Sequence, residues 1–299
     1  MSFLDKTWYT LSAYGYEELQ PITGLVLTAG ARIQADKRYG HADAPESPWQ
    51  FTPSFQGGAA VVRGRLGGKL IYAEGFRPPD ANSLFSTVGT KGNPELVAEH
   101  SRELAAEVHV EPVATLTLRA GGNLTRLSDV IVLDPIVGDP NFAYTPINKG
   151  RIDLASVFVE AKLTALHDVD GFASYHATWI DESDPLGTGI PLARHTATIA
   201  AVWRPLAALS VFARGSIASP RRLDVFTPAG PVAVKTDPTI RSAVGVSLTD
   251  VWRGVDLDLM IDNPLLREHD APYQVDGATA GLIERRRGTE VLATIRYER

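Results

Sequence analysis

The sequence predicts an all-β protein whose strands follow one another as an antiparallel meander. Three observations predict it: apolar and polar side chains alternate along most of the chain, many alternating segments are long, and short turns alternate with long loops. Strands of soluble proteins average about five or six residues, whereas a tilted strand that crosses a membrane needs about 9–11. Because many segments here reach the longer range, the pattern favours a transmembrane β-barrel.

The alternation is clearest between Glu103 and Glu111. The even positions from Leu104 to Val110 are aliphatic, and the odd positions carry glutamate or histidine, except Ala105. Segments of this kind predict about thirteen strands. They cover roughly 7–19, 23–38, 49–63, 66–76, 101–111, 114–133, 149–166, 171–183, 191–204, 207–219, 239–250, 254–263 and 288–299.

Composition excludes several classes of function. The net charge of −6 argues against a nucleic-acid partner, which usually requires a basic patch. The absence of cysteine excludes disulfides, thiolate metal sites and cysteine nucleophiles. A mean hydropathy of −0.05 is compatible with a membrane barrel, because only every second strand residue faces lipid.

A soluble all-β binding module is the alternative fold, since its strands also alternate. Such a module fills its interior with packed apolar side chains. In this sequence one face of the strands carries Glu, Arg, Asp, Lys and Thr, and the other is small and aliphatic. Strand length and strand number favour the membrane barrel over the soluble module.

Loop lengths give a second line of argument. Short turns are predicted near Gln20–Pro21, Arg65, Glu111–Pro112, His167–Asp168, Pro205 and Trp252–Arg253, and long loops near 39–48, 77–100, 134–148, 184–190, 220–238 and 264–287. Outer-membrane barrels have short periplasmic turns, long external loops and an even number of strands. The odd number here predicts the C-terminal portion of a larger barrel and a sheet that is open when taken alone.

The most specific stretch joins a predicted strand to a long loop. It reads Tyr-Ala-Glu-Gly-Phe-Arg-Pro-Pro-Asp-Ala-Asn-Ser-Leu-Phe over residues 72–85, and Gly-Asn-Pro-Glu-Leu follows at 92–96. It resembles the signature of TonB-dependent receptors, in which Gly-Phe-Arg-x-Pro ends a strand and Gly-Asn-Pro-x-Leu precedes a glutamate. The matching positions are Gly75, Phe76, Arg77, Pro78, Pro79, Leu84, Phe85, Gly92, Asn93, Pro94, Leu96 and Glu99.

Weaker resemblances follow in the family's order and extend over essentially all 299 residues. They lie at 124–131, 150–160, 190–195, 263–265 and 291–299. Two positions depart from the family pattern: Ala98 stands where proline is usual, and Arg299 stands where the chain usually ends on phenylalanine.

The resemblance implies a fold, a location and a class of activity. It implies that 1–299 form one partial barrel domain of a 22-stranded receptor, inserted in outer-membrane lipid of a Gram-negative cell. The implied activity is uptake of a scarce nutrient such as a ferric siderophore, another small metal chelate or cobalamin. The sequence shows no plug domain, TonB box or signal peptide, so TonB is expected as a partner only if a plug is supplied. A non-transporting structural or surface-binding barrel is the alternative.

No enzymatic constellation is predicted. Gly64-Arg-Leu-Gly-Gly-Lys69 has the wrong spacing for a phosphate loop and is interpreted as a hairpin turn. The seven histidines are scattered, and Asp256, Asp258 and Asp262 are better explained as a hydrated strand face than as a cation site. The sequence therefore predicts no catalytic residue, no metal and no cofactor.

Two arginine clusters lie in predicted external loops. Arg221 and Arg222 form one, and Arg285, Arg286 and Arg287 form the other. Arginine binds carboxylate and phosphate groups through paired hydrogen bonds, so these side chains are candidate contacts for an anionic iron chelate or lipopolysaccharide. Solvated loop charge is the alternative.

Overall fold

The computed structural model describes residues 8–38, 49–87, 89–136, 142–182, 192–227, 230–264, 269–275, 279–286 and 288–297. The chain divides into two compact units. The first comprises 1–107, 123–155 and 180–186, and the second comprises 108–122, 156–179 and 187–299.

Within the described residues, thirteen strands form one antiparallel meander, which confirms the predicted fold class. They are β1 (Trp8–Ile22), β2 (Leu25–Arg38), β3 (Gln50–Arg63), β4 (Leu66–Arg77), β6 (Glu99–Val113), β7 (Leu116–Ser128), β10 (Arg151–Leu166), β11 (Val169–Glu182), β12 (His195–Leu206), β13 (Leu209–Ala218), β16 (Thr239–Trp252), β17 (Val255–Asp262) and β20 (Glu290–Tyr297). In the part of the chain that the structure describes, β1 and β20 are the two ends of this order.

The long loops carry further secondary structure. Between β4 and β6 lie helix α1 (Ala81–Phe85) and β5 (Gly89–Thr90), and between β7 and β10 lie β8 (Ile131–Pro135) and β9 (Phe142–Asn148). These strands form a small sheet in the order β5-β9-β8. Two hairpins follow, β14 (Arg222–Thr227) with β15 (Gly230–Lys235) and β18 (His269–Val275) with β19 (Thr279–Arg286). The sequence had predicted loops at these places.

The predicted strand 114–133 is wrong at its end. β7 stops at Ser128, and β8 begins at Ile131 in a different sheet. The break coincides with Asp129, which has a φ of 56°, a left-handed conformation that departs from extended strand geometry. This break directs the chain into the small sheet.

Two turns lie beyond the prolines that were taken to mark them. β1 continues through Pro21 to a turn at Thr23–Gly24, and β12 continues through Pro205 to a turn at Ala207–Ala208. The strand register shifts beside each proline. Proline lacks an N–H, so it is tolerated in a strand where the ladder is already irregular.

The two faces of the strands differ in the way the sequence predicted. In β6, Arg102 and the aliphatic side chains from Leu104 to Val110 are exposed, whereas the intervening residues are half-buried. In β17 and β20, Leu257 lies opposite Ile295 on one face and Asp258 lies opposite Thr294 on the other. In β6 the aliphatic face is therefore the more exposed one.

The hydrophobic residues that the structure describes as buried are few. They are Leu84, Leu96, Ala98, Val132, Ile152, Ala177 and Ala243. No helix in the described ranges has the length and apolar character needed to cross a membrane.

Candidate functional site

The signature residues form a compact loop between β4 and β6. Gly75, Phe76 and Arg77 end β4, and Glu99 begins β6. Pro78 and Pro79 lead to α1, in which Leu84 and Phe85 form the last turn. The remaining positions, Gly92, Asn93, Pro94 and Leu96, lie on the return path.

Asp80 starts α1. Its carboxylate accepts hydrogen bonds from the backbone N–H of Ser83 at 2.8 Å and from the Ser83 hydroxyl at 3.1 Å. These bonds satisfy donors that the first helical turn leaves unpaired. The backbone bond from Ser83 is the main reason that the pKa of Asp80 lies below its ordinary value, against an opposing effect of burial.

The loop has a dry core of its own. Leu84 and Leu96 are each 1% exposed, and Pro79 and Pro146 are also fully buried. Pro146 belongs to β9, so the small sheet packs against the loop. Burying a leucine side chain contributes about 1.5–3 kcal/mol, which makes this core the main stabiliser of the loop.

Gly92 permits the close return of the chain past α1. A Cβ at this position would lie 2.5 Å from the backbone nitrogen of Phe85 and 2.6 Å from that of Ser86. No real Cβ approaches backbone atoms so closely, so the position requires glycine. The Gly92 N–H donates to the carbonyl of Ser86 at 2.8 Å, which fixes the approach.

Asn93 and Asn148 connect the loop to β9. The Asn93 amide donates to the Pro146 carbonyl at 3.0 Å, and the Asn93 N–H donates to the Ser83 carbonyl at 2.9 Å. The Asn148 side chain accepts from the Val97 N–H at 2.8 Å and donates to the Val97 carbonyl at 3.0 Å. Asn148 was not predicted from the sequence, where its signal is a position just before the strand that begins at Arg151.

Glu99 joins three strands at the base of the loop. One carboxylate oxygen pairs with Nε of Arg77 at 2.5 Å, and the other accepts from the Ile131 N–H at 2.8 Å. The ends of β4, β6 and β8 are thereby held together. Beside them, the Arg32 guanidinium lies 5.5 Å from the centre of the Phe76 ring, within cation–π range.

The polar face of the strands carries charges in pairs. In the first unit Lys69 contacts Glu107 at 3.1 Å, and Asn123 donates to Glu103 at 3.1 Å. In the second unit Arg119 contacts Glu160 at 3.0 Å, Arg204 contacts Asp170 at 2.6 Å, and Arg296 pairs with Asp258. Such cross-strand pairs suit a hydrated face, where each charge keeps both a partner and water.

Gln34 and Asp36 are buried polar residues on this same face. The Gln34 amide donates to both oxygens of Asp36, at 2.9 and 3.2 Å, and the Thr10 hydroxyl donates to Asp36 at 2.7 Å. Arg32 donates to the Gln34 carbonyl at 2.6 Å. The alternation along the sequence gave no sign that such a network would form.

Asp256 and Asp258 of β17 have separate hydrogen-bond partners. Asp258 pairs with Arg296, and Asp256 accepts a hydrogen bond from the Asp250 N–H at 2.8 Å. Within the described ranges, no three His, Asp or Glu side chains are grouped so as to hold a metal ion.

The arginine clusters are separated from the signature loop in sequence. At the base of the β14–β15 hairpin, the Thr236 N–H donates to the Arg221 carbonyl and the Arg221 N–H donates to the Thr236 hydroxyl. Arg222 begins β14. Arg285 and Arg286 end β19, and Arg287 lies outside the described residues. Their contact with a ligand stays a prediction.

Comparison with known proteins gives a family and a fold. Residues 4–246 match the family described as TonB dependent receptor-like, beta-barrel. No curated protein matches the chain.

Several solved structures share the fold. The copper transporter OprC superposes with a TM-score of 0.78 at 15% identity, over 98% of this chain and 48% of that one. The FrpB iron transporter from Neisseria meningitidis gives 0.74 at 13%, over 96% and 45%. The ferripyoverdine receptor of the outer membrane of Pseudomonas aeruginosa gives 0.73 at 11%, over 98% and 39%. The chain thus spans less than half of each of these proteins, and at such identities the likeness is one of fold.

Proposed function

Because the chain belongs to the TonB-dependent receptor-like β-barrel family, we propose that it forms part of the wall of an outer-membrane receptor that takes up a scarce nutrient. A ferric siderophore or another metal chelate is the favoured class of cargo, and cobalamin is the other. The names of the solved relatives, a copper transporter, an iron transporter and a ferripyoverdine receptor, support metal-linked cargo.

The observation that carries the proposal is the exposed aliphatic face. Ile199 is 66% exposed and Val159 is 54% exposed, although both lie in the middle of strands that have a neighbour on each side. A soluble protein rarely leaves such a large continuous apolar surface in water. Lipid acyl chains are the solvent that this face fits, and the paired charges on the other face suit an aqueous passage.

The signature loop has a role in this proposal as a rigid external element. Its own core and its bonds to β9 hold it in one conformation without help from the strands' aliphatic face. A rigid loop presents ligand-binding side chains at lower entropic cost than a mobile one. Coupling to TonB would require a plug, and the proposal assigns that coupling to the assembled receptor.

Two adjacent substitutions in β12 test the membrane location. Ile199→Arg places a charge on the aliphatic face, and Thr198→Arg is the matched control on the polar face. An arginine at the bilayer midplane costs about 2–4 kcal/mol, whereas an exposed arginine in water costs little. The protein is expressed from its complete gene in a Gram-negative host.

The measured quantities are the amount of protein in the outer membrane and its resistance to extraction without detergent. We expect Ile199→Arg to lower the inserted amount strongly and Thr198→Arg to leave it near the wild-type level. Equal tolerance of both variants, with extraction in buffer alone, would favour the soluble module.

Uptake is tested separately from insertion. Cells that carry the complete gene are supplied with a radiolabelled ferric siderophore, with and without an energised inner membrane. Energy-dependent accumulation supports the receptor. Energy-independent surface binding alone would favour a non-transporting, surface-binding barrel.

A further inference from the structure

Three arginines lie where the aliphatic face of the first unit meets the long loops. Arg102 is near the start of β6, Arg126 is near the end of β7, and Arg151 begins β10. The loops that adjoin these strand ends are 78–98 and 129–150. We call Arg102, Arg126 and Arg151 the arginine rim.

The rim shares a face with exposed aliphatic residues. In β6, Arg102 is exposed in step with Leu104, and in β7 Arg126 is exposed in step with Leu124. On the opposite face, Glu103 and Asn123 are hydrogen-bonded across the two strands, so Arg102 and Arg126 belong to the same end of the pair. The alternation therefore turns both arginines toward the side that the leucines occupy.

Two acidic residues brace the rim. Asp153 accepts from Nε of Arg126 at 2.8 Å and pairs with Nε of Arg151 at 3.1 Å, while Glu74 pairs with Nε of Arg102 at 3.5 Å. The arginine side chains are 68%, 55% and 51% exposed, against 19% for Glu74 and 31% for Asp153. The acids lie beneath, and the guanidinium groups face outward.

Donors remain available on this surface. A guanidinium has five N–H donors. In the described contacts Arg102 uses Nε and Arg126 uses Nε and Nη2. Tyr72, whose hydroxyl donates to Glu74 at 2.6 Å, is exposed beside Leu70 and adds an interfacial aromatic side chain.

We propose that the arginine rim binds the phosphorylated head group of an outer-leaflet lipid, whose acyl chains lie on the aliphatic face below it. Arginine recognises phosphate through paired hydrogen bonds, and an apolar face directly below the charges fits a molecule that carries both chemistries. A soluble anion would use the charges but leave the aliphatic face uncovered. The inference rests on the proposed outer-membrane location, where the long loops are external.

The test compares four proteins expressed from the complete gene and purified in neutral detergent. They are the wild type, the triple variant Arg102→Gln, Arg126→Gln and Arg151→Gln, the same three positions changed to Lys, and a control triple variant on the polar face. The control is Arg119→Gln, Arg204→Gln and Arg296→Gln, which removes the same charge from paired arginines. Far-UV circular dichroism checks that each retains its β-structure.

The probe is diphosphorylated lipid A in mixed micelles, with dephosphorylated lipid A and inorganic phosphate as comparison ligands. A basic residue near an anionic surface contributes about a fivefold gain in affinity, so losing three predicts about a hundredfold weaker binding. We expect that loss in the rim Gln variant, partial retention in the Lys variant, and wild-type binding in the control. The dephosphorylated lipid should bind the wild type weakly.

Three results would overturn the inference: wild-type affinity in the folded rim Gln variant, an equal loss in the control variant, or inorganic phosphate that displaces lipid A at equal concentration. Failure of the proposed function would be detected by a different measurement, the membrane insertion of the Ile199→Arg and Thr198→Arg variants. If the protein inserts normally but does not bind phosphorylated lipid, the lipid inference is wrong and the proposed function still stands.

Discussion

The signature loop buries apolar side chains, whereas the strands leave many apolar side chains exposed and bury some polar ones. In the loop, Leu84 and Leu96 are each 1% exposed, and polar atoms of Asp80 and Asn93 bond to the surrounding backbone. In the strands, Leu124 is 60% exposed, whereas Gln34 is buried in a hydrogen-bonded network. One chain thus contains a region built for water and a region built for an apolar solvent.

This difference shows what each region needs for stability. The loop stabilises itself through its apolar core, as a small soluble domain does. The strands gain little from the aliphatic face in water, because those side chains remain exposed after folding. Their backbone hydrogen bonds become strongly favourable only where water is excluded. The loop should therefore respond to core mutations in any medium, and the strands should respond to the medium itself.

The largest expected effect separates the two regions directly. Leu84→Ala removes packing from the loop core and should cost about 2–5 kcal/mol locally, whereas Leu124→Ala on the exposed face should cost less than about 0.5 kcal/mol. Hydrogen exchange of the Lys91, Gly92 and Asn93 amides reports loop opening, since each donates within the loop or to β9. We expect at least about thirtyfold faster exchange in Leu84→Ala only. Equal rates in both variants would show that the loop core contributes nothing.

A smaller effect is expected at the close approach of Gly92. Gly92→Ala forces the chain away from the backbone of Phe85 and Ser86, at a cost of about 1–3 kcal/mol. Gly15→Ala in β1 is the control, because a Cβ there meets nothing within 4 Å. Limited proteolysis should cut Gly92→Ala faster than wild type within 78–98 and leave Gly15→Ala unchanged. Similar proteolysis of both variants would mean that the return path is not fixed at Gly92.

The smallest effect concerns the helix cap and depends on pH. The pKa of Asp80 in the folded protein lies below its ordinary value of 3.8. The contribution of its carboxylate to loop stability is therefore complete above pH 3.8 and is lost as the pH falls through the lower, folded pKa. Asp80→Ala should cost about 1 kcal/mol at neutral pH and nothing extra in acid. Asp80→Asn keeps an acceptor for the Ser83 N–H without titrating. Loop hydrogen exchange from pH 6 down to pH 3 should therefore depend less on pH, relative to wild type, in both variants.

The strands were predictable because one rule governs them. Alternation over ten or more residues fixes both the strand and its faces. The residues alone therefore predicted a strand at 101–111, within β6, which runs from Glu99 to Val113. Pro21 and Pro205 displaced two predicted turns, because proline was taken to end a strand that in fact continues past it.

The loop could be located from its sequence but not built. The signature placed Gly92 and Leu96 in one segment, yet the hydrogen bond from Asn93 of that segment to Pro146 joins residues far apart in the chain. The small sheet was not predicted because the chain leaves β7 at Asp129, whose left-handed φ has no periodic signal in the sequence. The arginine rim could not be predicted from arginines that are adjacent in sequence, because its three members come from three different strands.

The most direct test is to measure which solvent, lipid or water, each face of a strand contacts. The 299 residues contain no cysteine, so a cysteine introduced in β12 is unique among them. The protein is expressed from its complete gene, with any cysteine outside these residues changed to serine, labelled with a nitroxide and placed in lipid bilayers. The positions are Ala197, Ile199 and Ala201 on the aliphatic face and Thr198, Ala200 and Val202 on the other. Collision rates with oxygen, which concentrates in lipid, and with a water-soluble nickel chelate are then measured. The account predicts that oxygen dominates at the first three positions and nickel at the second three, with a period of two. Uniform access to nickel, or the opposite alternation, would contradict it.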